Sequence, residues 1–297
     1  MKNSLKSRSA GPLVSILIPA FNSAKYLGLA LDSVLAQTYN NIEIIVHDDA
    51  STDATPSILK KYSDPRLHII RTVDNHGMIG GWNYIVAKAK GEYIKFLASD
   101  DLLAPTAVAE LVRAALAHLE AAIITSQRQF IDEQGRVIKK MGFSTKHSVV
   151  DGKTHAHWIL TTLRENKIGE PTAVLYPRAL VKEAGEYDPR FSQFADFEYW
   201  IRLLQFGDLV YVDKPLCSFR LHASSNTAAA IRDGRFITET FQVIKKYHYL
   251  LTPAERSSVT RMKILDTLKN IKDLMFTGKI TQALRYTGRL VSSVVSA

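Results

Sequence analysis

Between residues 13 and 126 short β-branched runs alternate with amphipathic stretches, and polar residues gather where the runs end. The first run, Val14-Ser15-Ile16-Leu17-Ile18, stops at Pro19 and reads as a buried parallel strand with a loop at its carboxyl end. Over residues 24–37, Tyr26, Leu27, Ala30, Leu31, Val34 and Leu35 recur at helical spacing on one face. A strand over 42–46 then runs into Asp48-Asp49, and Thr55-Pro56 opens a helix, with proline at an early position where no donor is lost. Strands are predicted over 67–71, 93–97 and 121–126, separated by helices over 80–89 and 105–119. This alternation implies an α/β fold with a doubly wound, mostly parallel sheet covered on both faces, whose ligands bind at the carboxyl ends of the strands.

With 297 residues the chain is long enough for one large α/β domain with an appendage. Hydrophobic residues at 46% and charged residues at 23% exclude a disordered chain. A single cysteine, Cys217, permits no intrachain disulfide and reads as core. No apolar signal run follows Met1 and no stretch is long and uncharged enough to cross a bilayer, so a reducing cytoplasm is expected. Residues 1–12 read as a flexible polar arm, 13–227 as the main domain with halves 13–126 and 127–227, and 228–297 as a helical extension. The second half is looser, with a hairpin expected at 132–137, helices near 155–164 and 197–206, and strands near 172–176, 209–212 and 216–220.

The net charge of +9 is concentrated near the carboxyl end, where twelve basic against five acidic residues beyond residue 230 leave +7. These helices combine Phe241, Ile244, Leu265, Leu268, Met275 and Phe276 with that charge. Basic amphipathic helices suit an anionic membrane surface; the alternative is a helical cap on the main domain with a solvated basic face. Nucleic acid is not expected, since no aromatic-interleaved basic patch accompanies the charge.

Three polar clusters stand at strand ends: Pro19-Ala20-Phe21-Asn22, Asp48 to Asp53, and Ala98-Ser99-Asp100-Asp101. Adjacent carboxylates repel each other unless solvated, hydrogen-bonded or bound to a cation. Asp100-Asp101 suits a hard divalent cation completed by phosphates, or else an N-cap cluster for the next helix. Asp48-Asp49 has its own alternative, an Asx-turn with Ser51 and Asp53.

Taken with Leu31-Asp32-Ser33-Val34-Leu35-Ala36-Gln37-Thr38-Tyr39, Asn75-His76-Gly77, Asn83 and Gly91-Glu92-Tyr93-Ile94, these clusters resemble, in order, the family-2 glycosyltransferases of the GT-A fold over about residues 13–222. The resemblance implies an inverting, metal-dependent transfer of a sugar from a nucleoside diphosphate to a hydroxyl of a glycan or lipid-linked glycan in cell-surface polysaccharide synthesis. It implies that Pro19, Phe21, Asn22, Asp49, Asn83 and Asp100 bind the nucleotide-sugar, and that Asp101 and His222 hold Mn²⁺ or Mg²⁺ on the diphosphate. Such an ion stabilises the charge that develops on the leaving group.

Asp196, in Phe194-Ala195-Asp196-Phe197-Glu198, matches the family's acidic base ahead of an aromatic-rich helix; Glu198 is the second candidate, and a plain helix cap is the alternative for Asp196. Glu170 is assigned to the acceptor side. The sequence departs from the commonest family pattern at Ala98, where an aspartate often stands, and at Trp82, where an arginine does. Those departures motivate a competing reading as a non-catalytic sugar-nucleotide binding or scaffold protein. A nucleotidyltransferase is a further alternative, although residues 19–25 lack a glycine-rich basic loop. Lys95, within a strand, points to the crevice or holds a structural role, and His155-Ala156-His157 reads as surface.

Overall fold

The computed structural model describes residues 11–163 and 166–295. Most of the arm expected over 1–12 lies outside the described residues.

The first half follows the expected alternation. Strands β1 (Val14–Ala20), β2 (Ile42–Asp49), β3 (Leu67–Thr72) and β4 (Tyr93–Phe96) pair in parallel in the order β3-β2-β1-β4. Helices α1 (Leu27–Leu35), α2 (Thr55–Leu59) and α3 (Gly77–Val86) connect them. Helix α3 starts three residues earlier than the periodicity suggests, because the turn at Gly77, with φ of 71°, launches it directly from the loop after β3. A two-residue strand, β5 (Leu102–Leu103), and helix α4 (Ala107–Ala117) follow.

Beyond α4 the sheet becomes mixed. Strand β6 (Ala121–Ile131) turns back through the expected hairpin into β7 (Val137–Met141). Then come β8 (Ser148–Val150), α5 (Gly152–Thr162), β9 (Val174–Pro177), α6 (Leu180–Ala184), α7 (Ala195–Leu203) and β10 (Asp208–Arg220). The full order is β3-β2-β1-β4-β9-β6-β10-β5, with β9 antiparallel to both its neighbours. Strand β10 joins the two runs read separately around Pro215; the missing amide there is accommodated by register shifts against β6 rather than by a break.

The strands alternate their side chains between two cores. Val14, Ile16 and Ile18 pack with α1 and α4 on one face. Leu17 and Ile45 face the other core, with Ile159 and Leu160 of α5 and Trp200 of α7. That second core continues without interruption into the last helices, α8 (Asn226–Asp233), α9 (Arg235–Lys246), α10 (Pro253–Phe276) and α11 (Ile280–Val295), through Ile237, Phe241, Val259 and Tyr286. Residues 228–297 therefore pack against the main domain as far as they are described, although α10 and α11 leave much of their outer face exposed.

Two buried histidine and lysine positions depart from or refine the sequence reading. His155 is buried, on the inward stripe of α5 beside Ala156 and Ile159, with its ring stacked 5.2 Å from Trp158; burial pushes its pKa down to about 4. Its neighbour His157 reaches Glu255 of α10 at 2.9 Å. Lys95 is fully buried in β4, donates to the carbonyls of Thr172 and Phe96, and is lowered by burial to about 8. Cys217 is core.

The amino ends of β1, β2 and β4 are joined by a buried polar clamp. Ser15 donates to Glu43 at 2.5 Å and accepts from the Gly91 amide at 2.8 Å, while Glu43 also accepts from the Lys90 amide at 2.6 Å. A Cβ on Gly91 would stand 2.5 Å from the Ser15 backbone nitrogen, so only glycine fits. Gly91→Ala is expected to destabilise the protein by about 1–3 kcal/mol through overpacking, read as a lower urea midpoint with unchanged slope.

Candidate active site

The carboxyl ends of β1, β2, β4 and β6 open into a cleft of about 1010 Å³. Pro19, Ala20, Phe21 and Asn22 line it after β1, Asp49 at the end of β2, and Ala98 to Asp101 after β4. Glu170, Thr172, Asp196 and His222 bring in the second half. The cleft thus collects nine of the ten residues singled out from the sequence; the tenth, Asn83, faces elsewhere.

Near β1 and β2 the loops are stitched by side chains. Asn22, in the left-handed region with φ of 49°, accepts from the Thr52 amide at 2.8 Å and donates its own amide to Ser51 at 2.9 Å. Asp48 accepts from the Ser51 amide at 3.1 Å and meets Arg71 at 3.3 Å, so this carboxylate supports the loop in the manner of an Asx-turn. Asp49 faces the cleft. Its carboxylate accepts from the His76 amide at 2.9 Å and the Thr72 hydroxyl at 3.2 Å, and His47 lies alongside at 3.7 Å. Phe21 is half exposed, leaving an aromatic face at the cleft wall.

The two carboxylates after β4 divide their work. Asp101 is 1% exposed; one oxygen accepts from the Arg220 amide at 2.9 Å and the other from the Thr172 hydroxyl at 2.6 Å. Burial and the neighbouring Asp100 charge push its pKa well up. Asp101, expected to hold the cation, is almost fully buried at the edge of the cleft, and both of its oxygens accept hydrogen bonds from the protein. Asp100 retains exposure to the cleft and meets His222 Nε2 at 2.8 Å. His222 is held by the Ser224 hydroxyl at 2.8 Å and by Tyr26, whose ring centre is 5.3 Å away.

On the far wall Asp196 sits in the first turn of α7, where Phe194 is the capping residue and makes no side-chain cap. One oxygen accepts from the Phe197 amide at 2.7 Å, the other from Asn166 Nδ2 at 3.0 Å. Its outer edge reaches the cleft while protein surrounds the rest. Desolvation, with the Glu170 charge adding to it, raises its pKa to about 7. Glu170 pairs with buried Arg128 at 2.6 Å. Glu198 is completely buried outside the cleft, tied to Arg202 at 2.8 Å, to Lys246 at 2.7 Å and to the Tyr247 hydroxyl, which removes it from consideration as a base.

Asn83, expected on the donor, instead donates to the Tyr187 carbonyl at 2.9 Å and accepts from the Tyr187 amide at 2.8 Å. Its amide thereby pins the loop before α7 to α3. Trp82 lines the cleft with its indole against Phe96 and Tyr187, at 5.4 and 5.2 Å.

Several contributors had no sequence signal beyond their neighbours. Thr172 bridges the Asp101 carboxylate, the Ala98 amide and, through its carbonyl, Lys95. Glu239 of α9, nearly buried, accepts from the amides of Ser192, Gln193 and Phe194 at 3.1, 2.8 and 2.8 Å, and from the Ser192 hydroxyl at 2.8 Å. A lone acid on the inward stripe of an otherwise basic helix was the available clue.

This carboxylate therefore holds the segment that delivers Asp196 to the cleft. Glu239→Gln, which places an amide group against backbone donors, is expected to lower turnover by roughly 10–100-fold through misplacement of the wall while leaving nucleotide affinity unchanged. Steady-state kinetics paired with nucleotide titration checks both halves.

The family model described as glycosyl transferase family 2 matches residues 15–181. An uncharacterized glycosyltransferase of Rickettsia typhi is 31% identical over 229 residues, covering 76% of this chain and 70% of its own. Among solved structures, S. aureus TarS in complex with UDP-GlcNAc is similar with a TM-score of 0.71 at 18% identity, over 95% of this chain and 80% of that one. The mannosyltransferase PcManGT of Pyrobaculum calidifontis, in complex with GDP-Man and Mn²⁺, is similar with a TM-score of 0.61 at 18% identity, over 97% and 76%. At these identities the structural likenesses establish the GT-A fold.

Proposed function

The chain belongs to glycosyl transferase family 2, and from that premise we propose that it transfers a sugar, with inversion, from a nucleoside diphosphate to a hydroxyl of a glycan or lipid-linked glycan. Cell-surface polysaccharide synthesis is the setting that such acceptors suggest. The observation that carries the reading is Asp196, a carboxylate with its pKa raised to about 7, facing a cleft that also holds Asp49 and Asp100. The complexes of TarS and PcManGT with nucleotide sugars support a donor of this class.

The base and ribose are assigned to the wall formed by Pro19, Phe21 and Asp49. Asp196 receives the proton of the acceptor hydroxyl as its oxygen attacks the anomeric carbon from the side opposite the departing diphosphate. The C–O bond to the acceptor forms as the bond to the diphosphate oxygen breaks. Asn166 holds the second oxygen of Asp196 in place, and Glu170, paired with Arg128, is positioned to orient the acceptor. Trp82 closes the cleft against water with Phe96.

For the cation, Asp100 and His222 offer a partly exposed carboxylate and an imidazole 2.8 Å apart on the cleft wall, a donor pair that fits Mn²⁺ or Mg²⁺ with diphosphate oxygens completing the shell. When bound, the ion supplies Lewis-acid neutralisation of the leaving diphosphate. Ala98 removes one carboxylate common in relatives, so this pair carries the full burden of holding the ion.

The proposal is tested by titrating the protein with UDP, GDP, dTDP and CMP, with and without Mn²⁺, beside a donor-hydrolysis assay. Metal-assisted binding of one diphosphate, weakened at least tenfold in Asp100→Asn, is expected. Binding without any turnover would favour the non-catalytic reading.

The pH dependence follows from the sign of the Asp196 shift. A base must be ionised, so kcat/KM should rise tenfold per pH unit below about 7 and level off above it. Asn166→Ala removes a hydrogen bond to the ionised form and should move that limb to higher pH. Asp196→Asn should lower turnover by roughly 10²–10⁴-fold with nucleotide affinity retained, measured by single-turnover kinetics.

The outer faces of α10 and α11 suit an anionic membrane surface. Leu268, Phe276, Ile280, Leu284 and Val291 are exposed beside Lys269, Lys272, Lys279 and Arg285. No described helix is long and apolar enough to cross a membrane. In vesicle sedimentation the protein should bind phosphatidylserine-containing vesicles, release with salt, and ignore neutral ones. Phe276→Ser with Leu284→Ser should weaken that binding by about tenfold or more, since each large side chain contributes roughly 1.5–3 kcal/mol when buried.

A further inference from the structure

One cluster at the proposed donor wall joins Asp49 to two histidines that sugar transfer does not call for. His47 and Asp49 are two residues apart on β2 and so project from the same face of the strand. His76, at the amino end of α3, closes on them from the next loop. The Asp49 Oδ1 atom lies 3.7 Å from His47 Nε2 and 3.4 Å from His76 Nδ1, and one ligating atom from each residue falls within 4.8 Å of the others. Bonds of about 2.0–2.1 Å to a tetrahedral ion place neighbouring ligand atoms about 3.3–3.4 Å apart, a spacing the Asp49–His76 pair already has and the His47 nitrogen reaches by moving inward.

The surroundings hold the groups in place. Tyr84 of α3 packs against both rings, with centres 4.8 Å from His47 and 5.3 Å from His76, and the two imidazoles stack at 5.8 Å. Thr72 donates to Asp49 Oδ1 at 3.2 Å, the kind of outer hydrogen bond that orients a ligating carboxylate. His47 is completely buried, and its Nδ1 has no hydrogen-bond partner among the described residues. Its Nε2 meets the Thr72 hydroxyl at 3.2 Å, so an ion taken through Nε2 replaces that contact. His76 is partly exposed and provides the path for an ion from solvent.

We propose that His47, Asp49 and His76 form a second cation site, selective for a zinc-class ion, and that its occupation blocks the nucleotide. Two imidazoles with one carboxylate suit Zn²⁺ rather than the oxygen-preferring Mg²⁺, and they leave a fourth position for water. The site is separate from Asp100 and His222 in every residue. The binding half of the inference stands on the geometry alone; the inhibitory half rests on the assignment of Asp49 to the base. An ion held by Asp49 occupies the carboxylate that the base would meet, so zinc and nucleotide compete.

The test uses zinc alone first, titrated against a chromophoric chelator in the wild type, in Asp100→Asn and in His76→Gln. His76→Gln alters a partly exposed side chain while keeping the backbone amide that serves Asp49. Zinc should bind one site in the wild type and in Asp100→Asn, and about tenfold or more weaker in His76→Gln for loss of one of three ligands. Zinc binding that is unchanged in His76→Gln, or that disappears in Asp100→Asn alone, overturns the site.

Nucleotide binding is then measured in Mg²⁺ with zinc added at ten times its own Kd. The apparent nucleotide Kd should rise about tenfold in the wild type and stay within twofold in His76→Gln. Zinc and nucleotide bound together without mutual effect overturn the competition. If the zinc result holds while no nucleotide binds in any condition, the cation site is upheld and the donor reading of the cleft is what fails.

Discussion

The cleft depends on a carboxylate that is almost wholly buried. Asp101 follows β4, accepts the Arg220 amide from the end of β10, and accepts the Thr172 hydroxyl from the turn just before β9. Burying such a group without partners is costly, so the three chain segments are held at the spacing its two oxygens require. Arg220 extends the joint by donating to the Asp100 carbonyl at 2.9 Å and the Asp132 carbonyl at 3.0 Å, and its guanidinium lies 4.6 Å from the Tyr26 ring centre. The parallel half and the mixed half of the sheet are thereby locked around one cavity, and Asp100 is turned outward because its neighbour is turned in.

Much of this architecture was legible because parallel strands, buried on both faces, write themselves as apolar runs ended by polar residues. Val14-Ser15-Ile16-Leu17-Ile18 and the Asp49 and Asp100 clusters announce strand ends that a doubly wound sheet must gather on one edge. The short strands β5 and β8 were not legible: two or three residues carry no periodicity, and both exist only because β10 offers an edge. Helix α6, five residues long, was likewise too short to read. His155 was misread because spacing within the His-Ala-His triplet was weighed without the inward stripe of Ala156, Ile159 and Leu160 that carries it.

Within the cleft, sequence distinguished residue types but not their orientations. Asp48 and Asp49 are chemically identical neighbours, yet one supports its own loop and the other faces the cavity. The same inversion separates Asp100 from Asp101. Asn83 was placed on the donor by the family resemblance, whereas both the donor and the acceptor of its carboxamide are used by the Tyr187 backbone. Partners distant in the chain leave no trace in local pattern, which is also why the roles of Arg128, Asn166 and Thr172 were invisible until the fold brought them to Glu170, Asp196 and Asp101.

The carboxylate of Glu239 gives the two walls of the cleft different histories. The four strands of the parallel half pair with one another within residues 14–96, although their core is completed by Leu175, Val210 and Leu216 from later strands. The segment carrying Asp196 has no such independence, because the three amides ahead of it find their acceptor only when α9 arrives. Nascent protein thus passes through a stage in which the strand pairs of one wall can form while the other wall still lacks its acceptor. Only the arrival of α9 brings the acceptor that fixes the second wall.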